Sequence, residues 1–237
     1  MTVRVHRYPD AEALYDAVAA ALTARLAAWP PRGRAFSLCV SDGLAPLGPA
    51  VESHLPTTGA NPARLALWWS DDRFVDITHQ ARVSTRTLSA LGGIRLAPSN
   101  VHPMPTPSGF ADADAAAMQY AAELGKTGFD VALLAMADNG GVAGLQPGSA
   151  AFTDNPPHAV ATLSGRQGER LTLTLSALGR SAAVWLIATG EQSAETLRRV
   201  CADDAALPAG ALRGRHETVV FADKEAASLL PWHVCDL

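Results

Sequence analysis

The chain has 237 residues, of which 48% are hydrophobic, 18% charged and 6% aromatic. That composition excludes a disordered chain, which is poorer in apolar residues and carries more net charge. Nineteen Lys and Arg against 23 Asp and Glu leave a formal charge of -4, which argues against a nucleic-acid binder, since phosphate-backbone affinity needs clustered basic side chains.

No stretch approaches the roughly 20 apolar residues needed to cross a bilayer. The N-terminus lacks the apolar core of a signal peptide. Cys39, Cys201 and Cys235 make an odd count without a C-x-x-C pair, so neither a disulfide framework nor a thiolate zinc site is indicated. The expectation is one cytoplasmic α/β domain spanning 1–237, with no membrane partner.

The elements follow in order. Val3–His6 reads as a strand. Asp10 begins a helix in which Leu14, Val18, Leu22 and Leu26 share one face, and Pro30 and Pro31 end it. Phe36–Val40 reads as a buried strand, followed by the turn Ser41-Asp42-Gly43 and a helix after Pro46. Leu65–Trp69 is the next strand, and Ser84–Leu91 and Asp112–Leu124 read as helices. Asp130–Met136 is an apolar run that fits a buried strand or a piece of helix. Its length and the following Asn139-Gly140-Gly141 favour a strand. Arg170–Leu175 alternates with period two, as a half-buried strand does. Val184–Ala188 is a strand, Gln192–Cys201 a helix, Thr218–Phe221 a strand and Lys224–Leu230 a closing helix.

Strands alternating with helices predict a three-layer α/β fold: a mostly parallel sheet, Rossmann-like, with helices on both faces. Ligands in such sheets sit beyond the carboxyl ends of the strands. The segments to examine are therefore Ser41–Pro46, Ser70–Arg73, Ala137–Pro147 and Thr189–Ser193. In Asp71-Asp72-Arg73, Arg73 can clamp an anion and Asp71 can accept a proton or a sugar hydroxyl. The alternative is a solvated charge cluster closing a strand. Gly140 and Gly141 allow a ligand close to backbone amides, or form a plain turn. Asp42, if it faces the site, repels phosphate. The seven histidines show no H-x-x-x-H spacing and read as surface or structural residues, so no metal site is expected.

Read together, these loops resemble one family. FSLCVSDGLAP is similar to a strand followed by S-G-G-[ST]-T-P, and ALWWSDDRFV to a strand followed by D-E-R. Ser84-Thr85 stands in the place of a Ser-Asn pair, and SNVHPMP resembles the stretch before the next helix. FDVALLAMADNGGVAGLQP tracks F-D-x-x-x-L-G-M-G-x-D-G-H-x-A-S-L-F-P. ERLTLTLSAL resembles an R-[IL]-T-[LM]-T strand, VWLIATGEQSAETL a strand and helix carrying G-x-x-K, and VVFADKEAASLL a closing D-x-x-A-A helix. In this collinear set the chain resembles the 6-phosphogluconolactonase family, related to glucosamine-6-phosphate deaminases.

The resemblance implies hydrolysis of a phosphorylated sugar lactone in the pentose phosphate pathway, without metal or organic cofactor. It implies a histidine as general base, an aspartate orienting it, and backbone amides with basic side chains holding phosphate and oxyanion. This chain departs from that pattern. The aspartate falls on Asn139 and the histidine on Gly141. The second glycine of the phosphate turn falls on Asp42, its hydroxyl residues on Leu44 and Ala45, the asparagine on Thr85, and the helix lysine on Ser193. Asp71, Arg73, Ser84, Gly140 and Arg170 survive, with Gly43, Pro46 and Pro147 as framework.

The expected function is that of a family member with impaired lactonase activity. The alternative is a non-catalytic homologue that binds a sugar-like metabolite or a protein partner. A third reading is an unphosphorylated or cationic substrate, which Asp42 would favour. Catalytic candidates are Asp71 and Arg73 with the degenerate Asn139 and Gly141. Substrate-binding candidates are Asp42, Gly43, Ser84, Gly140 and Arg170. Asp138, Asp71, His79 or His102 are the candidates for a substitute base. The assembly expected is a monomer or a weak homo-oligomer.

Overall fold

The computed structural model describes residues 3–126, 128–153, 159–165, 168–231 and 235–236. Strand β1 (Arg4–Tyr8) leads into helix α1 (Ala11–Ala27), whose start is set by Asp10: its carboxylate accepts the Ala13 amide at 2.8 Å. Leu14, Val18, Leu22 and Leu26 are all buried, as their spacing predicts. β2 (Phe36–Val40) and β3 (Leu65–Trp69) occupy the predicted spans and pair in parallel, Phe36 opposite Leu65 and Val40 opposite Trp69. Between them, α2 (Leu47–Thr58) follows Pro46. The apolar run is a strand, β6 (Val131–Ala135). α3 (Val83–Ala90), β5 (Val101–His102), α4 (Ala113–Leu124), β9 (Ala183–Ala188), α7 (Ala194–Cys201), β10 (Glu217–Asp223) and β11 (Cys235–Asp236) complete the main architecture.

Eight strands form one parallel sheet in the order β11-β1-β10-β9-β6-β2-β3-β5. Because strand side chains alternate in direction, the central strands feed two cores. Cys39, Trp68, Ala132 and Leu134 pack on the face covered by α4 and α7. Leu38, Val40, Leu67, Trp69, Val131 and Leu133 pack on the face covered by α1, α2 and α3.

Three sequence expectations change. The alternating run does not join the parallel sheet. It forms β8 (Gly168–Leu173), which pairs antiparallel with β7 (Val160–Gly165) and with β4 (Asp71–Arg73) in a second, three-stranded sheet. Its threonine face is buried as well, Thr172 bonding the loop after β6, so period two here marks the central strand of an antiparallel sheet rather than a strand of the parallel one. The Ser70–Arg73 loop accordingly contains a strand. Ser70 is the switch between sheets: its amide bonds the Val40 carbonyl and its carbonyl accepts the Leu173 amide. Finally, 224–230 is a run of turns. Asp223 takes the Ala226 amide at 2.8 Å and Pro231 stops any continuation. Short helices α5 (Ala150–Thr153), α6 (Leu175–Leu178) and α8 (Pro208–Ala211) were not anticipated.

Candidate active site

Beyond the carboxyl ends of β2, β3 and β6 lies a cavity of about 350 Å³. The β2 turn supplies Ser41, Asp42 and Gly43, the β6 loop supplies Gly141 to Gly144 and Gln146, and Asp71 and Arg170 reach in from β4 and β8. Ser41 ties the strand ends together, since its hydroxyl accepts the Ala135 amide at 2.8 Å. Gly43 turns the chain at φ 84°, a conformation costly for any other residue.

Asp42 is half exposed and pairs with Arg86 of α3, Oδ1 to Nη2 at 2.5 Å. Partial burial works to raise its pKa, but the Arg86 contact and the Gly43 amide at 2.8 Å outweigh it and hold the carboxyl below the usual range. Asp71 is 1% exposed. One carboxylate oxygen pairs with Arg170 and the other accepts the Ser70 hydroxyl at 2.9 Å. Burial pushes its pKa up, and Arg170 and Ser70 only partly reverse that.

The loop after β6 has closed around its glycines. The Asn139 side chain accepts the Gly141 amide at 3.0 Å and donates to Gln146 Oε1 at 2.6 Å. A Cβ on Gly141 would lie 2.7 Å from the Leu145 carbonyl oxygen and 3.0 Å from Gln146 Nε2. Gly144, at φ 73°, lets Arg170 pass: a Cβ there would lie 3.1 Å from Arg170 Cδ and 3.4 Å from Asp71 Oδ2. Thr172 of β8 donates its hydroxyl to the Ala143 carbonyl and pins the loop to the second sheet.

Several expected residues stand elsewhere. Ser84 does not line the cavity; it is buried, and its hydroxyl donates to Asp72 Oδ2 at 2.6 Å. Gly140 is buried beneath α8, its carbonyl accepting the Ala209 amide, and does not face the cavity. Arg73 lines an adjoining cavity of about 380 Å³ that shares Gly144, Gln146 and Arg170 with the first. Of the candidate substitute bases, only Asp71 lines the cleft. Asp138 accepts the Ser193 hydroxyl at 3.1 Å, which also gives the residue at the expected lysine position a structural task. His79 is exposed and accepts the Ala81 amide. His102 stacks on Trp68 and meets Glu123 at 2.6 Å. Among the described residues no imidazole lines the cavity, and no group of three His, Cys, Asp or Glu could hold a metal ion.

Sequence reasoning did not single out Ser41 and Gln146, which line the cavity, or Arg82 and Arg86, which hold Asp72 and Asp42 from outside it. Arg82 and Arg86 are one turn apart on α3, an i, i+4 pair, but nothing local announces that their partners, Asp72 and Asp42, lie ten and 44 residues back.

The sequence profile of glucosamine-6-phosphate isomerases/6-phosphogluconolactonase matches residues 9–221. The chain belongs to this family. It is 30% identical over 249 residues to the 6-phosphogluconolactonase of Mycobacterium tuberculosis, covering 98% of this chain and 100% of the relative. It is 32% identical over 253 residues to that of Streptomyces coelicolor, covering 96% and 94%. Among solved structures, a 6-phosphogluconolactonase from Shewanella baltica superposes with a TM-score of 0.74 at 25% identity, covering 94% of this chain and 98% of that one. The Thermotoga maritima 6-phosphogluconolactonase shares the fold, with a TM-score of 0.80 at 22% identity over 94% and 100%. Asp71 and Arg170 stand on the cleft wall, with Gly141 in the loop after β6 beside them.

Proposed function

We propose that the cleft is a 6-phosphogluconolactonase-type site that binds a sugar lactone and opens its ring ester slowly. The observation that carries this reading is Gly141: the expected base is absent, and the Leu145 carbonyl fills the space its side chain would need. In ring opening, water adds to the lactone carbonyl, the oxygen becomes an oxyanion, and the ring C–O bond breaks as its oxygen gains a proton. Arg170 supplies a preplaced cation for the oxyanion. Asp71, buried and raised in pKa, accepts a hydroxyl hydrogen bond or takes up the water's proton.

A positioned base is worth about 10²–10⁴ in rate. Freshly made 6-phosphogluconolactone, given to the purified chain, is therefore expected to hydrolyse faster than in buffer and about 10²–10⁴-fold more slowly than with the M. tuberculosis relative. A rate matching that relative would overturn the proposal.

One observation favours a second reading, a non-catalytic binder. The Asn139 side chain, where the orienting aspartate is expected, is committed to bracing Gly141 and Gln146. Hydrolysis equal to buffer, together with micromolar binding of 6-phosphogluconate in calorimetry, would select it. Both readings take a cytoplasmic monomer or weak homo-oligomer acting on a small molecule. Among the described residues no helix is long and apolar enough to cross a membrane.

A further inference from the structure

The charges around the cleft bear on which ring it accepts. Two carboxylates line the cavity, and each already engages a guanidinium: Asp42 holds Arg86, and Asp71 holds Arg170. The adjoining cavity adds one charge of each sign, Arg73 and Glu169. Among the described residues the two cavities are thus lined by three carboxylates, Asp42, Asp71 and Glu169, and two guanidiniums, Arg73 and Arg170, and Arg86 holds Asp42 without lining either cavity. Among the described residues no lysine lines either one. Ser193, where the resemblance expects a lysine, bonds Asp138 instead.

A phosphate dianion entering this cleft gains little. It can reach Arg170 only by displacing Asp71, which stays in the same cavity as a like charge. It meets no net positive field to offset its own desolvation. A hydroxyl group is treated differently. It donates to the Asp42 or Asp71 carboxylate while a neighbouring hydroxyl accepts from the Arg170 guanidinium, so the wall offers sugar hydroxyls acceptors and a donor without either ion pair being broken. The two carboxylates stand on different walls: Asp42 in the turn after β2, held by Arg86 of α3, and Asp71 on β4, held by Arg170, which reaches it from β8 past Gly144.

Building on the lactonase-type reading, we infer that the cleft prefers an uncharged polyhydroxylated ring, such as an unphosphorylated aldonolactone, over the same ring carrying a 6-phosphate.

The test uses the full chain and two ring probes without a scissile ester, 1,5-anhydro-D-glucitol and its 6-phosphate, titrated by calorimetry. Hydrolysis of D-glucono-1,5-lactone and its 6-phosphate is followed in parallel. The uncharged probe is expected to bind at least about tenfold tighter. Asp42→Asn removes the negative charge while keeping an acceptor for the Gly43 amide, and is expected to move the affinity ratio about tenfold toward the phosphate. Arg86→Gln leaves Asp42 uncompensated and should move the ratio the other way. Tighter binding of the phosphorylated probe by the wild type, or a ratio that Asp42→Asn leaves unmoved, overturns the inference. Binding of the phosphorylated probe alone sinks this inference and spares the sugar-lactone reading. Silence toward both probes sinks both.

Discussion

Asp71 and Asp72 sit side by side on β4, and the pleat of the strand turns them to opposite sides. Asp72 is wholly buried, 3.0 Å from a wholly buried Arg82. It also accepts the amides of Arg73, Val83 and Ser84 and the Ser84 hydroxyl. Arg82 in turn donates to the carbonyls of Arg73, Val75 and Met104. Every hydrogen-bonding direction on that side is used, and the result is a clamp that fixes β4 against the start of α3. Asp71 has one serine, one arginine and an open cavity. A carboxylate saturated by the protein is structure. One left under-coordinated at a cavity wall is available to a ligand.

The contrast is broken most severely at the clamp. Arg82→Ala leaves Asp72 buried without its counter-charge and is expected to remove about 3–5 kcal/mol of stability, read from urea or guanidinium unfolding. A loss below about 1 kcal/mol, no more than one ordinary hydrogen bond is worth, would mean that the network is not the clamp described.

Next comes the loop after β6. Gly141→His must push the Leu145 carbonyl aside, at about 1–3 kcal/mol of overpacking strain. Even combined with Asn139→Asp, it should not bring lactone hydrolysis to the rate of the M. tuberculosis relative. Melting curves and the hydrolysis assay check the two halves.

Asp71→Asn should cost little stability. The folded-state pKa of Asp71 is raised, so the native state binds its proton more tightly than the unfolded state does, and its ionised form works against folding at neutral pH. The variant is expected to melt at or above the wild type at pH 7. That advantage should shrink as the pH falls through the raised pKa toward the ordinary carboxylate value. A loss like that of Arg82→Ala would erase the distinction between the two aspartates.

The smallest effect is at the mouth. A double-mutant cycle on Asp42 and Arg86 should give about 0.2–1 kcal/mol, reduced by salt, since both side chains are more than a third exposed. The Asp42 pKa is depressed, so this contribution is present above the ordinary carboxylate value and lost as the pH falls through the folded one.

What the sequence disclosed follows from how far each signal reaches. β2, β3 and β6 were legible because a strand buried on both faces writes its apolar run in consecutive residues. α1 was legible from its cap and its four-residue period. The partner sheet of β8 was not, because alternation separates two faces and says nothing about which strand lies alongside. The turns at 224–230 escaped because a few alanines and leucines satisfy a helical pattern that Pro231 cuts short. In the site, Asp71, Arg170, Asp42 and Gly141 were found from their loops. Arg82 and Arg86 were not, because their meaning lies in carboxylates on other elements.

β1 is the first of the described strands to be synthesised, yet it is hydrogen-bonded between β10 and β11, with Val5 opposite Val220 and Cys235. At about 5–20 residues per second of translation, Val5 waits on the order of 10–40 s for Val220 to exist. Throughout that interval β1 lacks its partner, and β9, once made, presents an unpaired edge as well, the kind of surface on which nascent chains associate wrongly. A ribosome stalled before residue 217 would hold the molecule in that exposed condition, with its ligand cleft largely translated and its sheet unfinished.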